Sequence, residues 1–145
     1  LVEALRDGYI DAIATDHAPH AIEDKVCEYD QAAFGISGFE TALGLLMTLV
    51  HDGRLPLSLL IEKLTVSPAR VYGLPYGTLA LDSPADVVIF DPDAEWTVDP
   101  HHFASKGKNT PLVGTTLRGK VVATAVGGEL VYVAEGERKR LERED

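Results

Sequence analysis

Between Leu1 and Gly73 one stretch alone reads as a strand, Tyr9 to Thr15, while the other strand-like segments of the chain lie beyond Gly77. This asymmetry constrains the fold more than any other feature. "YIDAIAT" is mostly apolar, and a strand apolar on both faces suits a parallel sheet covered by helices. Residues 1–73 therefore read as βα units, holding about one strand plus extra helices. Residues 77–133 read as a β-rich module. A closed eight-stranded βα barrel needs roughly 250 residues. A chain of 145 residues cannot contain one, but it can contain the end of one.

Local signals fill in this division. Leu1 to Arg6 has the pattern of the last turns of an amphipathic helix, closed by Asp7-Gly8. Asp16 to Gly38 is a long polar loop, and loops of that length inside compact domains are often functional. Ser37-Gly38-Phe39-Glu40 fits a capping box. The helix that follows carries Phe39, Ala42, Leu43, Leu46, Leu49 and Val50 at helical spacing and ends at Gly53. Pro56 to Leu64 is a second helix with Pro in its first turn. Ser67 and Pro68 start a short third helix, which Gly73 stops. "GTLALDSPADVVIFDP" gives a short strand, a turn at Asp82-Ser83-Pro84 and a strand over Asp86 to Phe90. Trp96 to Val98 is a short strand, and Pro100 to Gly114 a loop. Leu117 to Val126 and Glu129 to Val133 pair as a hairpin across Gly127-Gly128. The tail is charged and reads as an exposed helix or a disordered end.

Hydrophobic residues make up 46% and charged residues 25%, enough apolar surface for a core and too little charge for global disorder. The formal net charge of −10 argues against non-specific nucleic-acid or anionic-membrane binding. The single Cys27 excludes an internal disulfide and a Cys-rich metal site, and the cytosol fits best. No signal peptide is legible, and no apolar run approaches a membrane span. The chain begins at Leu, and "LVEALRDGYIDAIAT" begins in mid-pattern, so a piece of a longer chain is expected.

The chemistry concentrates where the strand-like run stops. "TDHAPH" places Asp16, His17 and His20 just past Thr15, with Pro19 stiffening the loop by fixing φ. In α/β barrels catalytic side chains sit at the C-terminal ends of strands. A carboxylate there can ligate a metal through one oxygen or take a proton from metal-bound water. The same Asp could equally be a turn or cap residue, and His17 could simply bond backbone. One Asp and one His do not make a metal site, which normally needs three or four protein ligands. No H-x-H or H-x-x-x-H occurs, and His101-His102 would face opposite ways on a strand. His51, late in its helix, reads as solvent-side or dipole-facing.

Five blocks in order, "ATDHAPH", "FGISGFET", "SPARVYGL", "GTLALDSPADVVIFDP" and "SKGKNTPLVGTTLRGKVVATAVGGELVY", resemble the C-terminal part of bacterial-type dihydroorotases of the amidohydrolase superfamily. The resemblance covers about residues 1–133. "SPADVVIFDP" marks the superfamily only, whereas "TDHAPH" and "SKGKNTP" point to dihydroorotase. Leu112 stands where the family often has Phe, a mild apolar swap.

The resemblance implies an α/β fold. Residues 1–76 would be the C-terminal part of the (β/α)8 amidohydrolase barrel, 77–133 a β-sandwich-like tail module, and 134–145 a charged tail. It implies a metal-dependent hydrolase that interconverts dihydroorotate and N-carbamoyl-aspartate in pyrimidine biosynthesis, with one or two zinc ions. Asp16 would be a metal ligand and the catalytic proton shuttle. His20 would contact the substrate carboxylate, and Phe34-Gly35 would offer backbone to the substrate. His17 would support the loop. Ser105 to Pro111 would lie at the junction of barrel and β module, in a structural role rather than at the substrate. The family's remaining metal ligands lie upstream of these residues, so the chain alone is expected to be inactive. The implied partners are a small-molecule substrate, a homo-oligomeric copy and aspartate transcarbamoylase. Two alternatives stay open: another cyclic amidohydrolase of the allantoinase or hydantoinase kind, and a non-catalytic dihydroorotase-like subunit. If N-terminal strands are absent, the β module is expected to have exposed edges and the helix from Phe39 a bare apolar face.

Overall fold

The computed structural model describes residues 1–137. In chain order they form α1 (Val2–Arg6), α2 (Phe39–His51), α3 (Leu57–Leu64), α4 (Val66–Tyr72), β1 (Val87–Thr97), a 3₁₀ turn (Pro100–His102), β2 (Thr116–Val126) and β3 (Glu129–Val133). The sheet is antiparallel with order β1-β2-β3. The last residues of the charged tail, 138–145, lie outside the described residues. No helix among the described residues is long and apolar enough to cross a membrane.

The sheet forms where short-range pairing can supply it. Gly127 and Gly128 have φ of 58° and 82°, as the two central residues of a type I′ turn require, and join β2 to β3. β1 merges the two separate strands expected at Asp86–Phe90 and Trp96–Val98. Its register shifts between Asp91 and Glu95. Asp91 Oδ1 accepts the N–H of Asp93 (2.8 Å) and of Ala94 (3.1 Å), folding the backbone around Pro92. Pro92 has no N–H to give a ladder, so the irregularity falls where it costs least.

The helices depart less from expectation. α3 starts after Pro56, and α4 ends at Gly73 in the left-handed conformation (φ 65°). Ser67 is not the cap of α4: Thr65 precedes the helix, and Ser67 Oγ instead donates to Glu62 Oε1 at 3.2 Å. The short strand expected before Asp82 does not form, and Leu79 and Leu81 stand exposed.

α2 lies against the sheet through Gly44 and Met47, while the apolar stripe read from the sequence is only partly covered: Phe39 is 65% exposed, and Ala42, Leu43, Leu46, Leu49 and Val50 are half-buried. Two glycines let helix and strand approach. A Cβ at Gly44 would sit 3.0 Å from Leu117 Cβ, and one at Gly119 would sit 2.7 Å from Met47 Cγ. Met47 is buried between them, and Trp96 Nε1 donates to the Gly119 carbonyl at 3.0 Å. His51 Nε2 reaches the Pro92 carbonyl at 3.1 Å, tying the end of α2 to the irregular part of β1. Val98, Phe103 and Leu117 form a buried cluster, with Trp96 and Leu112 packed on it.

Tyr9 to Thr15 is the main correction to the sequence reading. The segment belongs to no strand. Its Ile13 N–H goes to the Lys63 carbonyl at 3.0 Å rather than to a neighbouring strand. A strand exists only through its partners, and no parallel neighbour is present among the described residues. Tyr9 is 83% exposed. The chain exposes 10350 Å² in all, against about 7,200 Å² for a compact monomer of this mass.

Candidate functional site

Four segments converge beyond Thr15: Asp16 to His20, Phe34 to Gly38, the start of α2, and Ser105 to Asn109. Asp16 has a left-handed backbone (φ 47°), a conformation that Asp adopts more readily than most residues. Its side chain is exposed and forms no hydrogen bond or ion pair among the described residues. It is a carboxylate held out on a bend, with both oxygens available.

His17 anchors that bend. Its Nδ1 accepts the backbone N–H of Gly38 (3.0 Å) and of Phe39 (3.2 Å). These are donors at the N-terminus of α2, which no local side chain caps. Accepting through Nδ1 leaves the neutral ring its proton on Nε2, which faces Ser105 Oγ at 3.5 Å. The Phe39 ring stacks on the imidazole at 3.9 Å between centroids, with 5° between planes. His17 is thus fixed on both edges and one face, and Asp16 is bonded directly to it in the chain.

The expected capping box does not form, because its residues are used elsewhere. Ser37 is fully buried, and its Oγ donates to the Gly107 carbonyl at 2.6 Å. Glu40 Oε1 accepts the Ser105 N–H at 2.8 Å, while its Oε2 is buried without a partner. Both side chains reach across to Ser105–Asn109 instead of back to their own helix end.

Gly35 closes the loop on itself. Its φ is 116°, and a Cβ there would lie 2.6 Å from Ala18 Cβ, 2.7 Å from Ala18 O and 3.3 Å from His20 Nε2. Only glycine fits so close an approach. The Ala18 N–H donates to Ile36 O at 2.9 Å, so the two arms of the loop run side by side here. Of the residues singled out in the sequence, His20 and Gly35 are brought together. The Phe34 ring stands 95% exposed in solvent. Asp16 precedes this cluster and shares no side-chain bond with it.

A zinc ion needs three or four protein ligands. The described residues contain no group of three or more His, Cys, Asp or Glu side chains that could hold one. Asp16 is a free carboxylate of the right type, but alone it does not make a metal centre.

Sequence reasoning gave Asn109 only a share in the structural role of Ser105 to Pro111, and His17 only an unspecified supporting one. Asn109 bonds both arms of the loop, and its nearest sequence signal is Gly107. A Cβ at Gly107 would lie 2.3 Å from Pro19 Cβ, so this glycine marks where two loops touch. A glycine between two lysines in a polar loop gives no hint of that partner.

The family model described as the amidohydrolase family matches residues 1–131. Among curated relatives, the dihydroorotase of Syntrophus aciditrophicus (strain SB) is 54% identical over 130 residues, covering 90% of this chain and 30% of the relative. The dihydroorotase of Anaeromyxobacter dehalogenans (strain 2CP-1 / ATCC BAA-258) is 55% identical over 130 residues, with the same coverage. Among solved structures, L-hydantoinase (dihydropyrimidinase) from Arthrobacter aurescens superposes with a TM-score of 0.82 at 36% identity, over 92% of this chain and 32% of that one. The chain spans about a third of the length of the relatives it matches.

Proposed function

The chain belongs to the amidohydrolase family, and we propose that it forms the C-terminal portion of a dihydroorotase. Identity supports this enzyme over its hydantoinase relatives: 54% to a dihydroorotase against 36% to the hydantoinase of known structure. Residues 1–76 would belong to the barrel and residues 77–133 to the accompanying β module. The reaction is the reversible hydrolysis of dihydroorotate to N-carbamoyl-aspartate, a step of pyrimidine biosynthesis. The setting would be the cytoplasm and the assembly a homo-oligomer.

The observation that carries the catalytic assignment is Asp16, a partner-free carboxylate held on a left-handed bend by the pinned His17. In hydrolysis, water oxygen bonds the ring carbonyl carbon, the ring C–N bond breaks, and the nitrogen takes a proton. Asp16 would accept the proton from water and deliver it to that nitrogen. His20 would hold the substrate carboxylate, and the Phe34-Gly35 backbone would bond the substrate amide. The Cβ-free side of Gly35 packs on Ala18, which fixes the course of that backbone beside His20. Asp16 would also be one ligand of the enzyme's one or two zinc ions, which supply Lewis-acid activation of water. The other ligands would come from outside the described residues.

Asp16→Asn in the full-length enzyme is the direct test. Asn tolerates the left-handed backbone, so the variant removes the charge without adding the strain that Ala would. Turnover should fall by at least about 100-fold, measured as both dihydroorotate hydrolysis and N-carbamoyl-aspartate cyclisation. Turnover within a few-fold of the parent would remove Asp16 from the chemistry.

A further inference from the structure

Asn109 uses both ends of its side-chain amide and its backbone carbonyl to join the two arms of the Asp16–Gly38 loop. Its Oδ1 accepts the His20 N–H at 3.1 Å. Its Nδ2 donates to the Gly35 carbonyl at 3.0 Å. Its backbone carbonyl accepts the Ser37 N–H at 2.8 Å. The amide orientation is fixed by chemistry, since His20 offers only a donor and Gly35 only an acceptor. Asn109 itself is half-buried, and its neighbour Gly107 packs on Pro19 and accepts Ser37 Oγ.

We propose that Asn109 is a positioning residue that sets the separation between His20 and Gly35. The inference rests on the dihydroorotase reading, in which those two residues face the substrate. A loop of this length has no sheet or helix to hold its arms in register. One planar amide, donating on one side and accepting on the other, fixes both arms against a common reference. Asp, with the same shape, cannot do this: it has no donor for the Gly35 carbonyl, and its second oxygen would face that carbonyl oxygen. The residue does not touch the reacting atoms. It acts on where the substrate carboxylate and amide are held, so it should govern substrate binding more than the proton transfer at Asp16.

The test compares Asn109→Ala and Asn109→Asp in the full-length enzyme. Both should raise KM by about 10-fold while kcat stays within about 3-fold, the signature of lost binding common to ground and transition states. Asn109→Asp is the discriminating variant. If Asn109 merely fills space, the isosteric Asp restores the parent KM, and the proposal fails. If Asn109→Ala does not fold, Asn109→Asp alone decides by the same criterion. Amide exchange in the unmutated enzyme gives a readout independent of activity. The His20 and Ser37 N–H groups should exchange at least about 100-fold more slowly than free amides, and unprotected amides at both would overturn the clamp. An unmutated enzyme that leaves dihydroorotate unhydrolysed but protects both amides would overturn the dihydroorotase reading and leave the clamp standing.

Discussion

In the sheet, β2 and β3 are joined by a two-glycine turn, and β1 meets β2 through backbone N–H and C=O groups. The arms of the Asp16–Gly38 loop are held largely by side chains, and from far away in sequence: His20 and Asn109 are 89 residues apart. A backbone ladder is available to almost any residue, so the sheet depends on its pattern and on a few buried side chains. The loop cluster depends on the identity of His17, Ser37 and Asn109, because no ladder stands behind them. The region that carries the candidate chemistry is therefore the one most sensitive to single polar substitutions. The region that carries the sheet is the one sensitive to core volume.

Leu117→Ala should be the most costly change on the sheet side. Leu117 is 3% exposed, lies in the Val98–Phe103 cluster and touches Gly44 of α2. Truncation should remove about 3 kcal/mol of stability, read as a lower urea midpoint at unchanged slope. A loss below about 1 kcal/mol would mean that the cluster is not a working core, and the contrast between the regions would collapse.

His17→Ala probes the other region. It deletes the cap on Gly38 and Phe39 together with the stacked ring. An N-cap contributes about 1 kcal/mol, and an aromatic stack adds about 1 kcal/mol. The expected loss is thus about 2 kcal/mol at most, confined to the first turn of α2 and to the loop. Amide exchange should rise at Gly38 and Phe39 while β2 stays protected. An equal rise in β2 would show the two regions to be one cooperative unit rather than two.

What could be read in the sequence follows the same contrast. The helices starting near Phe39 and Pro56, the Gly73 stop and the Gly127-Gly128 hairpin were legible because each rests on local signals: period, caps and turn residues. The run from Tyr9 to Thr15 looked like a strand by composition, and composition does not supply the neighbour that makes a strand. Asp16 and His20 stood out by residue type and place. The clamp by Asn109 did not, since an Asn-Thr-Pro sequence reads as an ordinary turn and its bonding partners are 74 and 89 residues away. The capping box at Ser37 and Glu40 failed for the related reason that a tertiary partner, the Ser105–Asn109 segment, outcompeted the local one.

Arg118→Ala sharpens the comparison from the opposite side. Arg118 Nη2 and Asp93 Oδ1 meet at 2.6 Å, the shortest ion pair among the described residues, and they do so across β1 and β2. By distance alone it looks like a fastener of the sheet. Yet the two side chains are 48% and 69% exposed, so water screens the pair and both chains lose rotamer freedom to form it. Such pairs contribute about 0.5 kcal/mol or less. The urea midpoint should hardly move, and the small difference should vanish in 1 M salt, where screening acts over about 3 Å. A loss of about 2 kcal/mol or more would mean that the sheet, like the loop cluster, depends on a single polar side chain. The small loss expected would leave the ladder and the apolar cluster as what holds the sheet, and long-range polar fastening as a property of the candidate site alone.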